Sequence, residues 1–442
     1  MPKRFKIPLL FLIAAAVAVA VYFLPPVHSR LAWRVDAARA KIKYALQPPE
    51  QVIFRPGEQQ DQESRIDAIV SATLGALTTP SPAPVTPAAT AVPLPAQRED
   101  ATPLPTPSPT PTPTPLPEQV FLKGARHEYQ QWNNCGPATL SMALSFWGWE
   151  GDQRDTAAYL KPNPRDKNVM PYEMTAFVNE MTDLKAVWRV GGNLDLLKRM
   201  LAAGYPVVVE KGFEGPGFDG WMGHYGLLTG YDEAKSVFWV FDSYEGPDSA
   251  FTIPYARVLD YWPHFNGVYI IIYPPEKEAE VMALLGEDAD KDENYRRAAA
   301  EASNAIFAAG TPREQYFAWF NRGDDLVYLD DYGGAAEAYD QAFALYPQIP
   351  EEKRPWRVMW YRTGPYWAYF YTQRYYDVIG LATATLGAMS EPVLEESFYW
   401  RGLAREATGD VDGALADLRE AVRLNPNFSA AQYHLNRLES GQ

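Results

Sequence analysis

Cys135 is the only cysteine among the 442 residues, and it stands where a loop meets a predicted helix. Pro137 suits the first turn of a helix, and apolar residues at three- and four-residue steps predict that this helix runs over 139–147. The positive end of a helix dipole favours the thiolate, which is the nucleophilic form of cysteine. Gly136 leaves room for a substrate backbone to approach. A small buried hydrophobic residue is the alternative interpretation of Cys135.

A thiolate nucleophile needs a base, and the base needs a group that orients it. Among the five histidines, His224 alone lies in a context that suggests a site. Residues 221–231 and 237–244 are predicted strands joined by a polar loop of hairpin length. Folding this hairpin about Glu233 places His224 opposite Asp242, whose carboxylate can hold one imidazole nitrogen and leave the other for the thiol. A one-residue change of register would put the two side chains on opposite faces, and two ordinary polar residues at strand ends are the alternative.

These motifs together carry a family resemblance. Asn-Cys-Gly-Pro-Ala at 134–138, Gly-His-Tyr at 223–225 and Asp-Ser-Tyr at 242–244 resemble the papain-like cysteine peptidases of the bacteriocin-processing (double-glycine leader peptidase) type and their stand-alone relatives. The resemblance covers about residues 119–275 and implies an α+β papain-like fold. It also implies that Cys135 is the nucleophile, His224 the base and Asp242 the group that orients the base.

The family further implies a glutamine, upstream of the cysteine, that helps to bind the oxyanion. Gln130 and Gln131 both qualify, and Gln130 is favoured. An amide donor at this place contributes a few kcal/mol to the stabilisation of the transition state in enzymes of this sort. The chain has no P-loop pattern like that of the exporting ATPases to which such domains are fused, so the leader-peptide substrate does not carry over.

Four further residues are candidates for substrate binding because they neighbour the catalytic candidates in sequence. They are Gln131, Trp132, Gly136 and Trp221. The two tryptophans could line a groove for an apolar side chain, and packing in the core is the alternative. No metal or cofactor is expected, since the sequence contains neither a His/Cys cluster nor a glycine-rich phosphate loop.

The N-terminal region predicts attachment to a membrane. Residues 7–24 carry no charge and are long enough for a membrane-spanning helix, so residues 1–28 are assigned to a single-pass transmembrane anchor and 29–78 to a juxtamembrane segment. A cleaved signal peptide is the alternative, but the stretch that follows, 22–26, is bulky and contains two prolines. Basic residues on both sides leave the orientation open. The net charge of −15 argues against nucleic acid as a partner.

Residues 79–118 have the composition of a disordered Pro/Thr-rich stalk. They contain fourteen of the 39 prolines, eight of them at every other position from Pro103 to Pro117. Such a segment is an extended spacer that would reach on the order of 100 Å. This composition is typical of segments outside cells, so we expect the catalytic domain to be extracytoplasmic at the cell membrane. A disordered cytoplasmic linker is the alternative.

Residues 276–442 have a helical pattern with two matching stretches. Gly323 and Pro347 are separated by 24 positions, as are Gly402 and Pro426, and small residues recur at equivalent places in between. This resembles the tetratricopeptide repeat, with room for one enlarged repeat between the two, and predicts an all-α domain that binds a peptide or protein partner. A purely structural helical cap on the peptidase domain is the alternative.

The sequence therefore predicts a membrane-anchored, extracytoplasmic thiol hydrolase that acts on a peptide or protein. Two alternatives remain. An acyl transferase of the transpeptidase or transglutaminase kind would use the same triad, and a non-catalytic scaffold would bind a peptide without cleaving it.

Overall fold

The computed structural model describes residues 53–57, 115–163, 165–214, 220–389 and 391–441, together with separate positions between 14 and 46. Most of the predicted anchor at 7–24 and nearly all of the predicted stalk at 79–118 lie outside these residues. Within the described part of the chain, no helix combines the length and the apolar character needed to cross a membrane. The anchor, the juxtamembrane segment and the stalk therefore stay predictions.

Among the described residues, seven antiparallel strands form one sheet in the order β2-β7-β3-β4-β5-β6, and β1 pairs with the far end of β4. The strands are β1 (Gln119–Phe121), β2 (Lys185–Arg189), β3 (Val207–Phe213), β4 (Met222–Asp232), β5 (Val237–Asp242), β6 (Phe251–Pro254) and β7 (Tyr269–Tyr273). The central strands β3, β4 and β7 are buried almost throughout, because helices cover both faces of the sheet.

Alternate residues of β3 point to two separate hydrophobic cores. Val208 joins the core beneath the first three helices of the chain, whereas Val207 and Val209 join the core beneath the next three. These helices are α1 (Cys135–Phe146), α2 (Gln153–Leu160), α3 (Pro171–Met181), α4 (Leu194–Ala202), α5 (Tyr255–Tyr261) and α6 (Glu278–Leu285). The α+β architecture agrees with the expected papain-like fold.

The β4–β5 hairpin has a different register from the predicted one. The turn is 233–236, and Asp242 opposes Gly226 rather than His224. A β-bulge between Leu228 and Gly230 offsets the pairing by one residue along the hairpin. The unpaired residue of the bulge is Thr229. Without it, Asp242 would oppose Leu227, and the side chains of Asp242 and His224 would lie on opposite faces of the sheet. The bulge therefore returns both side chains to one face, although the predicted pairing was wrong.

The described residues of the C-terminal region form helices joined by short loops. Its helices are α7 (Lys291–Ala308), α8 (Pro312–Tyr328), α9 (Tyr332–Leu345), α10 (Gly364–Tyr371), α11 (Tyr375–Gly387), α12 (Glu395–Ala407), α13 (Val411–Leu424) and α14 (Ser429–Glu439). Gly323 faces the ring of Tyr339, and a Cβ added there would lie 2.5 Å from it. The small residues thus allow close helix crossings, as the repeat pattern predicts.

The helical region packs directly on the α+β domain. Trp221 stacks on Phe265 and belongs to the same hydrophobic cluster as Phe317 and Tyr361 of the helical region. The Arg357 guanidinium donates to the Trp221 carbonyl at 2.9 Å. The two parts therefore share a core.

Candidate active site

Cys135 is the first residue of α1, so its side chain emerges at the positive end of the helix. The loop before it is held by Gln153, the first residue of α2. The Gln153 Oε1 accepts from the Gln131 N–H at 2.7 Å, and its Nε2 donates to the Tyr129 carbonyl at 2.7 Å. The side chain of Gln153 is buried, and it fixes the chain on both sides of Gln130. The loop-to-helix junction thus has a defined geometry.

His224 and Asp242 are hydrogen-bonded across the hairpin. The Nε2 of His224 lies 2.8 Å from Oδ1 of Asp242, and both side chains are almost completely buried. Because Nε2 is bonded to the carboxylate, Nδ1 is the imidazole nitrogen left for the hydrogen bond with the Cys135 thiol. The structure therefore brings Cys135, His224 and Asp242 together, from the start of α1, the early part of β4 and the end of β5.

The electrostatics favour a thiolate paired with an imidazolium. Burial raises the pKa of the Cys135 thiol, but the hydrogen bond and charge of His224 lead the opposing effects, and the net pKa lies below its ordinary value. Burial lowers the pKa of His224, but the charge and hydrogen bond of Asp242 outweigh burial and raise it to about 9. Both shifts favour the ion pair, with the proton on the imidazole and the charge on the sulfur, over the neutral pair.

Two other groups support the thiolate. The backbone N–H of Tyr225, the residue after His224, donates to the Cys135 sulfur, and the Lys161 ammonium adds positive charge nearby. The Lys161 Nζ donates to the Asn133 carbonyl at 2.9 Å, and its side chain is buried behind the loop. Lys161 therefore both holds the loop and favours the charged form of Cys135.

The environment of Asp242 keeps its carboxylate ionised. Its Oδ1 accepts from the backbone N–H groups of Tyr244 and Glu245 at 2.9 Å each, in addition to His224. Burial raises the pKa of Asp242, but the charge of His224 and then that of Lys211, whose Nζ lies 3.9 Å from Oδ2, hold it well below the usual range. The carboxylate can therefore orient His224 and stabilise its positive charge.

Gln130 is tied to the residue that follows Asp242. The Gln130 backbone N–H donates to the Ser243 carbonyl at 2.8 Å, and the Ser243 hydroxyl donates to Gln130 Oε1 at 2.9 Å. With Oε1 accepting this bond, the amide presents Nε2 as its donor. Gln131 is held through its backbone, since its N–H donates to Gln153 and its carbonyl accepts from the Asn134 N–H at 3.1 Å. The structure thus fastens the side chain of Gln130 to the end of β5.

The four candidates for substrate binding have different environments. Trp132 is 38% exposed, and the Lys167 ammonium lies 5.9 Å from the centre of its ring. Trp221 is fully buried and donates from Nε1 to His264 Nδ1, so packing, not groove lining, is its role. Gly136 is also buried, and an added Cβ would lie 3.2 Å from Val169, so the space beside it is filled by protein. The predictions that Trp221 lines a groove and that Gly136 leaves room for a substrate backbone were therefore wrong.

Some contributors to the site could not be found from sequence motifs. Gln153 begins, and Lys161 directly follows, a helix that sequence periodicity did not identify, and the Tyr225 contact is made by backbone. Ser243 was visible only as part of the Asp-Ser-Tyr motif. Across the described ranges, no group of three or more His, Cys, Asp and Glu side chains is arranged to hold a metal ion.

Comparison with known families gives two matches. Residues 124–270 match the Peptidase_C39 like family, and residues 316–349 match the tetratricopeptide repeat. No curated protein matches the chain significantly.

Solved structures show distant similarity to parts of this chain. A C39-like peptidase from Bacillus anthracis is 18% identical, with a TM-score of 0.29, and covers 35% of this chain and 98% of its own. A double-glycine motif protease from an AMS/PCAT transporter, in complex with its leader peptide, is 15% identical, with a TM-score of 0.26 and coverage of 35% and 98%. MamA from Desulfovibrio magneticus is 18% identical, with a TM-score of 0.24 and coverage of 34% and 85%.

The family matches cover the α+β domain that contains Cys135, His224 and Asp242 and the first of the predicted helical repeats. The chain therefore carries a domain of the Peptidase_C39 like family followed by a tetratricopeptide-repeat region.

Proposed function

We propose that this protein is a cysteine peptidase that hydrolyses a peptide or protein at Cys135. The observation that carries the proposal is the hydrogen-bonded series from the thiol through His224 to Asp242 at the start of a helix. In the first step the Cys135 thiolate attacks the scissile carbonyl carbon, and His224 donates its proton to the leaving amine. Water then attacks the thioester with His224 as the base, which releases the acid and restores the thiol.

The remaining groups serve the same reaction. Gln130 Nε2 and the backbone N–H of Cys135 are the donors proposed to bind the oxyanion of the tetrahedral intermediate. Asp242 holds the imidazole in the orientation that directs Nδ1 to sulfur. The helical repeats, which pack against the peptidase domain, are proposed to bind a peptide or protein partner.

An epoxide inhibitor of thiol peptidases tests the proposal. We expect it to label Cys135 in the wild-type protein and to label a His224→Ala variant much more slowly. A peptide library should then yield a substrate whose cleavage is abolished in Cys135→Ser. If an added amine is incorporated into the product in place of water, the enzyme is an acyl transferase. Absence of labelling under conditions in which the protein is folded would contradict the proposal and favour a peptide-binding scaffold.

We also propose that the protein is held at the cell membrane by residues 7–24, with the peptidase domain outside the cytoplasm. The uncharged stretch 7–24 and the Pro/Thr-rich composition of 79–118 support this proposal. Protease added to intact cells should cut the chain within 79–118, as read on a denaturing gel. Protection in intact cells, with cleavage only after lysis, would place the domain in the cytoplasm.

A further inference from the structure

A short segment far from the peptidase domain in sequence lies against the helical repeats. Residues 53–57 have the sequence Ile-Phe-Arg-Pro-Gly and precede the Pro/Thr-rich stretch. Ile53 and Phe54 are partly buried against the hydrophobic cluster of the helical region. The ring of Phe54 meets Phe343 edge-on at 5.1 Å and lies 6.2 Å from Tyr369. An aromatic side chain of the N-terminal region is thus inserted among those of the repeats.

A second contact fixes the end of this segment. The backbone N–H of Gly57 donates to Oδ1 of Asp377 at 2.7 Å. Asp377 is only 1% exposed, and Arg374 donates to its other oxygen at 2.8 Å. The carboxylate is therefore fixed by a contact within the helical region, independently of Gly57. A buried carboxylate that receives an N–H from a separate part of the chain is a specific contact, because an unpaired oxygen there would be costly.

The sequence of the segment fits both contacts. Pro56 and Gly57 form a turn, and Gly57 has a φ of +79°, which glycine adopts without strain. This turn directs the Gly57 N–H towards Asp377 while Phe54 remains between Phe343 and Tyr369. An aromatic residue followed at the third position by the glycine of a Pro–Gly turn is therefore the ligand pattern that this surface accepts.

Three successive helices of the repeats supply the surface. Phe343 lies on α9, Tyr369 on α10 and Asp377 at the start of α11. We name these three residues the Phe54 groove. Arg374 also bonds both oxygens of Asp340 on α9, at 2.8 and 3.0 Å, and Tyr369 donates to Asp340 at 2.9 Å. The polar residues of α9, α10 and α11 are thus linked beside the apolar contact, which preforms the groove.

We propose that the Phe54 groove is a peptide-binding site whose ligand is the chain's own segment Ile53–Gly57. The segment clamps the N-terminal region to the helical repeats by one inserted aromatic ring and one backbone hydrogen bond. This inference does not depend on peptidase activity, since none of its residues belongs to the proposed catalytic site.

The clamp means that the Pro/Thr-rich stretch does not separate the predicted anchor from the two packed domains. Residues 58–114 connect Gly57, on the helical repeats, with the residues just before β1, on the peptidase domain. Both ends of that stretch are therefore attached to the same packed assembly of two domains. Only residues 25–52, rather than 25–118, separate the predicted anchor from this assembly. The predicted spacer of on the order of 100 Å then does not set the distance between the membrane and the peptidase domain.

Cleavage within the Pro/Thr-rich stretch of the full-length protein tests the clamp. A specific protease site is placed near residue 100, the purified protein is cut, and the two fragments are separated by size-exclusion chromatography in detergent. We expect the N-terminal fragment to co-elute with the remainder of the chain. In Phe54→Ala, and in Asp377→Asn with its weakened acceptor, we expect the retained fraction to fall at least several-fold. Phe307→Ala, a matched change at a ring that is 90% exposed, should retain the fragment.

A synthetic peptide of residues 48–62 provides an independent readout that does not rely on a variant's folding. Added in excess to the cut wild-type protein, it should displace the N-terminal fragment, whereas the same peptide with alanine for Phe54 should not. Immediate separation of the wild-type fragments would overturn the proposal. Retention that neither Phe54→Ala nor the wild-type peptide reduces would overturn it as well, because the fragment would then be held elsewhere.

Discussion

His224 and Asp242 form a 2.8 Å hydrogen bond although they do not oppose each other on the paired strands. Asp242 opposes Gly226, so His224 lies two residues before its partner on β4 and on the same face. A diagonal pair of this kind is within reach of an imidazole and a carboxylate. The contact depends on the β-bulge between Leu228 and Gly230, which gives the two side chains a common face.

Replacing Asp242 should reduce turnover more than substrate binding. Asp242→Asn keeps the shape but removes the charge that raises the pKa of His224, so the imidazolium is less stable. On a peptide substrate found with the wild-type enzyme, we expect kcat to fall on the order of 10- to 10⁴-fold with little change in KM. Asp242→Ala should cost more, because no side-chain acceptor is left for Nε2. An Asp242→Ala variant as active as Asp242→Asn would contradict this orienting role.

The reactivity of Cys135 should report the ion pair directly. The pKa of the thiol is lowered and that of His224 is raised to about 9, so the thiolate–imidazolium pair should form at a lower pH than the thiolate of an ordinary cysteine does. Iodoacetamide should therefore alkylate Cys135 rapidly at about pH 6, where an ordinary thiol with a pKa near 8.5 is almost wholly protonated. His224→Ala should slow this reaction markedly.

Replacing Lys161 should slow the alkylation of Cys135 less than replacing His224 does. Lys161→Met removes a positive charge that lowers the pKa of Cys135, so alkylation at about pH 6 should slow, but less than in His224→Ala. Lys235→Met, at an exposed turn, is the matched control and should behave as wild type. Equal rates in all four proteins, each following a titration near pH 8.5, would show that the thiol is not activated.

The sequence predicted the residues of the site better than the geometry that joins them. Cys135 could be placed at a helix start because Pro137 and the apolar spacing mark that helix. His224 and Asp242 could be placed on a hairpin because a polar loop separates two β-rich stretches. The register could not be predicted, because the bulge lies where β1 approaches β4, and a Cβ added at Gly230 would lie 2.2 Å from the Val120 carbonyl. A contact more than a hundred residues away in sequence leaves no mark in local periodicity.

The errors at Trp221 and Gly136 have a similar cause. Their positions near His224 and Cys135 in sequence suggested a groove at Trp221 and open space at Gly136, but the helical region covers Trp221, and Val169 fills the space beside Gly136. The helical region and Val169 both lie outside the short motifs around Cys135 and His224, so those motifs could not show that the space is filled. The helical pattern itself was predictable, because small residues and a closing proline recur at fixed spacing within each repeat.

Thr229 at the bulge provides a test of stability. Its side chain is fully buried, and its hydroxyl has no hydrogen-bond partner among the described residues. Thr229→Val removes this buried polar group at nearly constant shape, so the free energy of unfolding should rise by about 1 kcal/mol. Thr229→Ser keeps the hydroxyl but loses a methyl group and should lower it by about 1 kcal/mol. Denaturant titration measures both, and a Val variant less stable than wild type would mean that the hydroxyl is satisfied by water.

Ser243 should act on catalysis through Gln130. The hydroxyl of Ser243 donates to Gln130 Oε1, which turns the amide nitrogen into the available donor. We expect Gln130→Ala to lower kcat by roughly 10²- to 10³-fold, the usual cost of losing an oxyanion donor. Ser243→Ala should lower kcat by about 10-fold, because the amide is then free to rotate, and Ser243→Thr should restore most of the loss. KM should change little in each variant.

A double-mutant cycle separates this positioning role from a general structural effect. If Ser243 acts only through Gln130, Ser243→Ala should cause no further loss of kcat in the Gln130→Ala background. If the two losses multiply instead, Ser243 supports the site by another route, such as the backbone turn that directs the Tyr244 N–H to Asp242. The pH dependence of alkylation distinguishes the two cases, because a disturbed Asp242 would change the thiolate–imidazolium pair. Loss of the oxyanion donor alone should leave the alkylation profile of Cys135 as it is in the wild type.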